Sequence, residues 1–277
     1  MGLKIHHLNC GTLCPLGGRL ITGEGSLRER GKMICHCLLI ETPRDGLVLV
    51  DTGFGTRDVA DPKGKLGAPF VALSGPLARV EETALHQVKQ LGFSPEDVRN
   101  LLVTHLDLDH AGGLGDFPKA RVHLYEPEHR AAMAPTWRER ERYKPHQWEH
   151  RPAWALYPSA SGEPWFGFPC VRSLEGLPPE ILLVPLVGHS RGHSAIAVDT
   201  GAGWLLHAGD AYFFRGEIHD NEPPCPAGLR IFQSLVEMDH TQRIGNQARL
   251  RELSRQHGGE VRIFCAHDPE ELRRLSA

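Results

Sequence analysis

Six consecutive residues carry four side chains able to bind a metal ion: His105, Asp107, Asp109 and His110, within Thr104-His105-Leu106-Asp107-Leu108-Asp109-His110-Ala111-Gly112-Gly113. The apolar run Leu101-Leu102-Val103 before them reads as a strand. Gly112 and Gly113 after them let the backbone come close to a bound ion. A solvated acidic loop accounts for aspartates at a strand exit but poorly for histidines interleaved with them. The chemistry that fits is cation binding.

The elements that must position these groups have partners elsewhere in the chain. Gly46-Leu47-Val48-Leu49-Val50 reads as a buried strand ending on Asp51-Thr52-Gly53. Leu182 to Val187 runs into Gly188-His189, Trp204-Leu205-Leu206-His207 into Gly209-Asp210, and Val261 to Cys265 into Ala266-His267. Five apolar strands thus end on Asp51, His105 to His110, His189, Asp210 and His267. In open α/β sheets the ligand crevice lies outside the carboxyl ends of strands, so these groups can converge. Imidazole and carboxylate without thiolate suit zinc, iron or manganese. Seven such groups exceed the needs of one tetrahedral ion but serve two that share a bridging carboxylate. Two ions roughly 3.5–4 Å apart polarise a carbonyl or phosphoryl oxygen and hold a hydroxide at neutral pH. That is a hydrolase site without a serine or cysteine nucleophile.

Around these exits the pattern predicts strands at 3–9, 33–41, 121–125 and 195–199. It predicts helices over 80–91, from Ser94-Pro95, from about Pro127, and through most of 231–256. Residues 54–78 and 214–230 are rich in Gly or Pro and read as irregular, and the end of the chain as a short charged tail. Residues 135–168 hold four of the five tryptophans, Trp137, Trp148, Trp154 and Trp165. This aromatic-rich insertion reads equally as a helical excursion docked on the core, a pocket wall or lid, or a homodimer contact.

Composition narrows the class. A chain of 277 residues with 40% hydrophobic and 23% charged content can bury a substantial core. Its net charge of -3, with no basic run, gives no footprint for nucleic acid and argues against a nuclease or RNA-processing role. Met1 to Leu20 lacks a continuous apolar stretch, so no signal peptide is expected, and no run approaches membrane-spanning length. Cys35 and Cys37 share one face of an apolar strand and read as buried thiols. Cys10 and Cys14 offer a zinc half-site without a second half. Seven scattered cysteines point to a reducing cytoplasm. His193, four residues after His189, is expected to be a hydrogen-bonding partner rather than a ligand.

The order of motifs resembles the metallo-β-lactamase superfamily: Asp51-Thr52-Gly53, His105-Leu106-Asp107-Leu108-Asp109-His110, Gly188-His189, Gly209-Asp210 and Ala266-His267. The resemblance spans about residues 33 to 268. It implies one α/β domain over 1–277, an αβ/βα sandwich of two mixed β-sheets packed face to face with helices outside and metals at one edge. It also implies that His105, Asp107 and His189 hold one ion and Asp109, His110 and His267 the other. Asp210 then bridges, Asp51 orients ligands from behind, and Asp109 handles protons as the catalytic residue.

Asp107 stands where the superfamily usually has His. An anionic oxygen there shifts preference toward iron or manganese, as in the similar flavodiiron proteins, without excluding zinc. Within the superfamily, Phe264-Cys265-Ala266-His267-Asp268 and Gly188-His189-Ser190-Arg191-Gly192-His193 look most like N-acyl homoserine lactonases, and the second run also like glyoxalase II. The lactonases carry a substrate-activating tyrosine three residues after the bridging aspartate. Here that position is Phe213, and the tyrosine is Tyr212. The expected function is a cytoplasmic, dinuclear, metal-dependent hydrolase of a small ester, lactone or thioester, most simply with two zinc ions. The alternative is a non-haem iron oxidoreductase of flavodiiron or persulfide dioxygenase type on the same fold. The complete ligand set disfavours a non-catalytic, metal-stabilised binding protein, and the expectation of no export signal disfavours a β-lactamase.

Overall fold

A computed structural model describes residues 2–158, 164–171 and 173–276. Eleven strands form among them: β1 (Lys4–Leu13), β2 (Met33–Glu41), β3 (Leu47–Val50), β4 (Pro76–Leu77), β5 (Val98–Leu102), β6 (Arg121–Tyr125), β7 (Ala153–Tyr157), β8 (Ile181–Pro185), β9 (Ser194–Asp199), β10 (Trp204–His207) and β11 (Val261–Phe264). One sheet runs in the order β4-β1-β2-β3-β5-β6-β7 and the other β11-β10-β9-β8. Both are mixed. The first is antiparallel from β1 to β3 and parallel from β3 to β7. In the second only β10 and β11 are parallel.

The central strands are apolar on both faces, as burial on both sides requires. On β2 and β3, Leu38, Ile40, Val48 and Val50 point inward to meet Leu183, Ile196, Val198, Leu205 and Phe264 of the second sheet. The alternate residues Leu39, Leu49, Leu101 and Val122 pack outward on Ala84, Val88, Leu114 and Ala131. Leu182, Ala197 and Leu206 do the same for the second sheet against Leu250 and Leu253. This period-two division makes the αβ/βα sandwich, with each aliphatic side chain contributing about 1.5–3 kcal/mol on full burial.

Several local expectations need correction. Residues 54–78 hold three short helices, Thr56–Ala60, Pro62–Lys65 and Ala68–Ser74, rather than a long loop. The second and third carry proline in the first turn, and Asp61 caps the second by accepting from the Gly64 N–H. None is long enough to show periodicity. The helix expected over 231–256 is two, Ala227–Val236 and His240–His257, because Asp239 caps the second by accepting from the Gln242 N–H at 2.9 Å. Irregular structure expected over 214–230 therefore ends at Pro226. The charged tail is a helix, Pro269–Leu275, capped by Asp268.

The aromatic-rich segment is not a purely helical excursion, since β7 extends the first sheet. Trp148 and Trp154 pack on the first core and Trp165 is buried in the second, whereas Trp137 is 80% exposed. Residues 159–163 of this segment lie outside the described residues. None of the seven cysteines is in a disulfide, and all but Cys14 are buried.

Candidate metal centre

Asp51 follows β3 with a φ of 53°, a left-handed conformation that aspartate tolerates when its side chain is tied down. It is. Its Oδ1 accepts from the Thr104 N–H at 2.7 Å, and its Oδ2 accepts from the Thr104 hydroxyl at 2.7 Å and from His110 Nδ1 at 2.8 Å. Thr104 is the last residue before the clustered motif, so Asp51 fixes both the start of that loop and one of its rings. Thr52 adds a hydroxyl bond to the His110 carbonyl and accepts from the Gly113 N–H. The pair of glycines serves close packing: a Cβ at Gly112 would lie 2.5 Å from the Gly53 carbonyl oxygen.

The other exits deliver their groups to the same place. His189 follows β8 and is 3.1 Å from Asp107 through Nε2 and Oδ2. His267 follows β11 and is oriented by its Nδ1 contact with the Ile34 carbonyl at 2.8 Å. Asp210 follows β10 at Gly209, whose φ of 54° and contact with His193 leave no room for a side chain. The seven groups form two clusters whose ligand-capable atoms lie within 4.8 Å of one another: His105, Asp107, His189 and Asp210, and Asp109, His110 and His267. Asp210 stands between them. Its Oδ2 is 3.7 Å from His105, 3.4 Å from His189 and 3.3 Å from His267, while its Oδ1 is 3.3 Å from His110 and 3.1 Å from His267.

The residues fit a metal centre. His105 Nε2, His110 Nε2 and Asp210 Oδ1 are buried and make no hydrogen bond among the described residues. Each such atom costs about 1–3 kcal/mol if left unsatisfied. Burial and the neighbouring His110 bring His105 down to about 4, and burial with Arg142 does the same for His189, which keeps both rings in the neutral form that binds cations. Burial opposes ionisation of Asp210, yet His267, His110 and His189 hold its carboxyl well below the usual range. Burial pushes the Asp109 carboxyl up against the pull of His110 and His267.

His193 takes the supporting part expected of it: its Nδ1 meets the Leu186 carbonyl at 2.9 Å and its Nε2 accepts from the Asp210 N–H at 2.8 Å. Tyr212 is fully buried and donates to Glu271 Oε1 at 2.8 Å, whereas Phe213 lines the cavity above the clusters. No cysteine joins either cluster among the described residues.

That cavity has a volume of about 460 Å³. Asp107, Asp109, His189, Asp210 and His267 are on its wall, and its other lining is largely apolar, including Leu13, Met33, Phe70, Leu73, Leu229, Phe232 and Leu235. The motifs did not reveal two further groups. Arg142, from the aromatic-rich segment, approaches Asp107 Oδ1 at 3.3 Å. Glu128, fully buried, accepts from the Leu106 N–H, the Tyr143 hydroxyl, the Ser190 hydroxyl and the Gly192 N–H, and so ties the loops of His105 and His189 together. One of two acids on a short helix and one arginine among four in 137–151 carry no spacing signal.

Comparison with known proteins agrees with this geometry. Residues 30–255 match the family described as the metallo-beta-lactamase superfamily. A probable metallo-hydrolase of Mycobacterium tuberculosis is 44% identical over 269 residues, 97% of this chain and 81% of that one. An N-acyl homoserine lactonase, AttM, of Rhizobium johnstonii is 34% identical over 137 residues, 49% of this chain and 50% of that one. A solved N-acyl homoserine lactone hydrolase, with N-hexanoyl-L-homoserine as product at its catalytic metal center, superposes with a TM-score of 0.72 at 22% identity, over 99% of this chain and 97% of that one. No helix among the described residues is long and apolar enough to cross a membrane. Motif order, sheet architecture and a near full-length relative converge: the chain belongs to the metallo-beta-lactamase superfamily and is a metal-dependent hydrolase.

Proposed function

We propose that the chain is a dinuclear hydrolase of a small ester, lactone or thioester with an apolar acyl group, and that N-acyl homoserine lactones are the first substrates to try. The observation that carries this reading is Asp210, whose carboxylate lies within 3.7 Å of histidines of both ligand clusters at the floor of an apolar cavity. In this reading His105, Asp107 and His189 would hold one ion, Asp109, His110 and His267 the other, and Asp210 would serve both, with zinc the leading candidate. When bound, two such ions supply Lewis acidity that polarises the scissile carbonyl and makes water acidic enough to attack near neutral pH.

The chain's own residues do the rest. Asp51 holds the His110 ring so that its Nε2 faces inward, an outer contact of the kind that tunes metal sites. Leu229, Phe232 and Leu235 give the acyl group a dry wall and orient the carbonyl over the clusters. Asp109, on the cavity wall and with its carboxyl pushed up by burial, is the group we assign to moving the proton to the leaving oxygen or sulfur. Mostly buried cysteines outside any disulfide are consistent with a cytoplasmic setting. A homodimer through the aromatic-rich segment would have Trp137 as its most exposed tryptophan, since Trp165 is buried and Trp148 and Trp154 are half-buried.

The test is metal content and hydrolysis measured together. Protein purified without added metal is analysed by plasma mass spectrometry, then assayed on acyl homoserine lactones, aryl esters and thioesters before and after chelation. Close to two ions per chain and a chelation-sensitive, metal-restored hydrolysis are expected. Fully loaded protein inert on all three classes defeats the proposal. One iron per chain with oxygen uptake on a thiol or persulfide would replace it with the oxidoreductase.

A further inference from the structure

The two oxygens of Asp107 face different neighbours. Oδ2 lies 3.1 Å from His189 Nε2 and 3.4 Å from His105 Nε2, inside the first cluster. Oδ1 makes no hydrogen bond among the described residues and stands in ion-pair contact with the Arg142 guanidinium at 3.3 Å. Arg142 is itself pinned. Its Nη1 donates to the His189 carbonyl at 3.1 Å, its Nη2 donates to the Val236 carbonyl, and only 8% of its side chain is exposed. The next residue anchors the same turn: the Tyr143 hydroxyl donates to Glu128 Oε1 at 3.1 Å, and that oxygen also accepts from the Leu106 N–H between His105 and Asp107. The guanidinium is thus fixed beside Asp107 by the His189 loop and by Val236.

We propose that Arg142 is a positioning residue that sets the metal preference of the first cluster, by drawing one oxygen of Asp107 into an ion pair so that the carboxylate would offer the cation its other oxygen. The inference rests on the metal-centre reading above. A carboxylate with both oxygens free can bind a cation through two, which raises the ligand count and suits larger, harder ions. Held to one oxygen, it keeps the count low and the geometry near the tetrahedral arrangement that zinc adopts. Arg142 thus counters the drift toward manganese or iron that an aspartate in this position would otherwise bring. A histidine at position 107 has one inward donor whatever Arg142 does, and this gives the proposal its control.

The experiment is a competition. Apo wild type, Arg142→Gln, Arg142→Lys, Asp107→His and the Asp107→His/Arg142→Gln pair are dialysed against zinc and manganese at fixed ratios. Bound metal is counted, and bound manganese is followed by its paramagnetic resonance. A ratio of affinities cancels the charge common to both ions and any general loosening of the fold. Arg142→Gln is expected to move the zinc-to-manganese preference toward manganese by about 10-fold or more, the scale of outer-contact effects on metal affinity. Arg142→Lys, which keeps the charge but loses the fork, is expected to fall between. In the Asp107→His background the shift is expected to shrink to less than about 3-fold, because only contacting residues couple strongly. An equal shift in both backgrounds, or none in either, overturns the proposal and leaves Arg142 a structural pin. If Arg142→Gln does not fold, an unshifted ratio in Arg142→Lys overturns it just as well. Failure of the wild type to bind either ion would instead sink the metal-centre reading beneath it.

Discussion

Phe213 lays its ring on the imidazole of His267, with centroids 4.9 Å apart and planes 19° from parallel. The same ring is 5.8 Å from that of His189. The side chain overlooking both ligand clusters from this loop is therefore an aryl group without a hydroxyl. The neighbouring Tyr212 is turned to the opposite side, onto Glu271. The shift of the tyrosine by one residue is not absorbed by the loop.

Tyr212→Phe should accordingly spare catalysis. We expect kcat/KM to stay within roughly 3-fold, while stability falls by about 1 kcal/mol for the lost buried hydrogen bond. Steady-state kinetics beside urea denaturation checks both. A loss of a hundredfold or more in kcat at unchanged stability would return Tyr212 to the reaction.

Asp210 and Asp51 should separate by their metal retention. Asp210→Ala removes the carboxylate that faces both clusters, so dialysed protein is expected to lose metal from both. Asp51→Asn leaves every inward-facing atom in place but weakens the support of His110, and should cost about 10–100-fold in affinity. Metal content after graded chelation distinguishes the two. Asp51→Asn behaving like Asp210→Ala would mean that Asp51 does more than orient.

The cavity wall makes a claim about chain length. Phe232 lines it and is 43% exposed, so Phe232→Ala should fold. Against a decanoyl ester KM is expected to rise about 10-fold with little change in kcat, and against an acetyl ester to stay put, because the lost contact is with the tail. An equal effect on both esters would place the acyl group elsewhere.

Glu271 predicts a slope of stability with pH. Burial, aided by Asp268, pushes its carboxyl from 4.5 up to about 8. Between those values the folded state holds a proton that the unfolded state has released. Stability from this group is therefore full below about 4.5 and lost as pH rises toward 8, by at most about 1.4 kcal/mol per unit. Urea denaturation of metal-free protein from pH 5 to 8 should show Glu271→Gln with a shallower decline than wild type. Parallel declines would mean that Glu271 is ionised when folded.

The strand exits were legible because each of the five obeys a local rule: a short apolar run, a turn, then Asp or His. Even the supporting role of His193 could be anticipated from its spacing to His189. The short helices at 56–74, the break at Glu237 to Asp239 and the strand β7 were not. Helices of four to seven residues complete too few turns for a periodic pattern, and β7 owes its identity to pairing with β6.

The sequence by itself determined which side chains can meet a cation and the order in which strands deliver them, since both follow from residue type and local pattern. Only the tertiary structure decided what surrounds them. It put Arg142 on Asp107, Glu128 under two loops, and Phe213 rather than Tyr212 over His267. Those contacts join residues from separate elements, and such neighbours are chosen by how the sheets and helices pack, a long-range outcome that no spacing along the chain encodes.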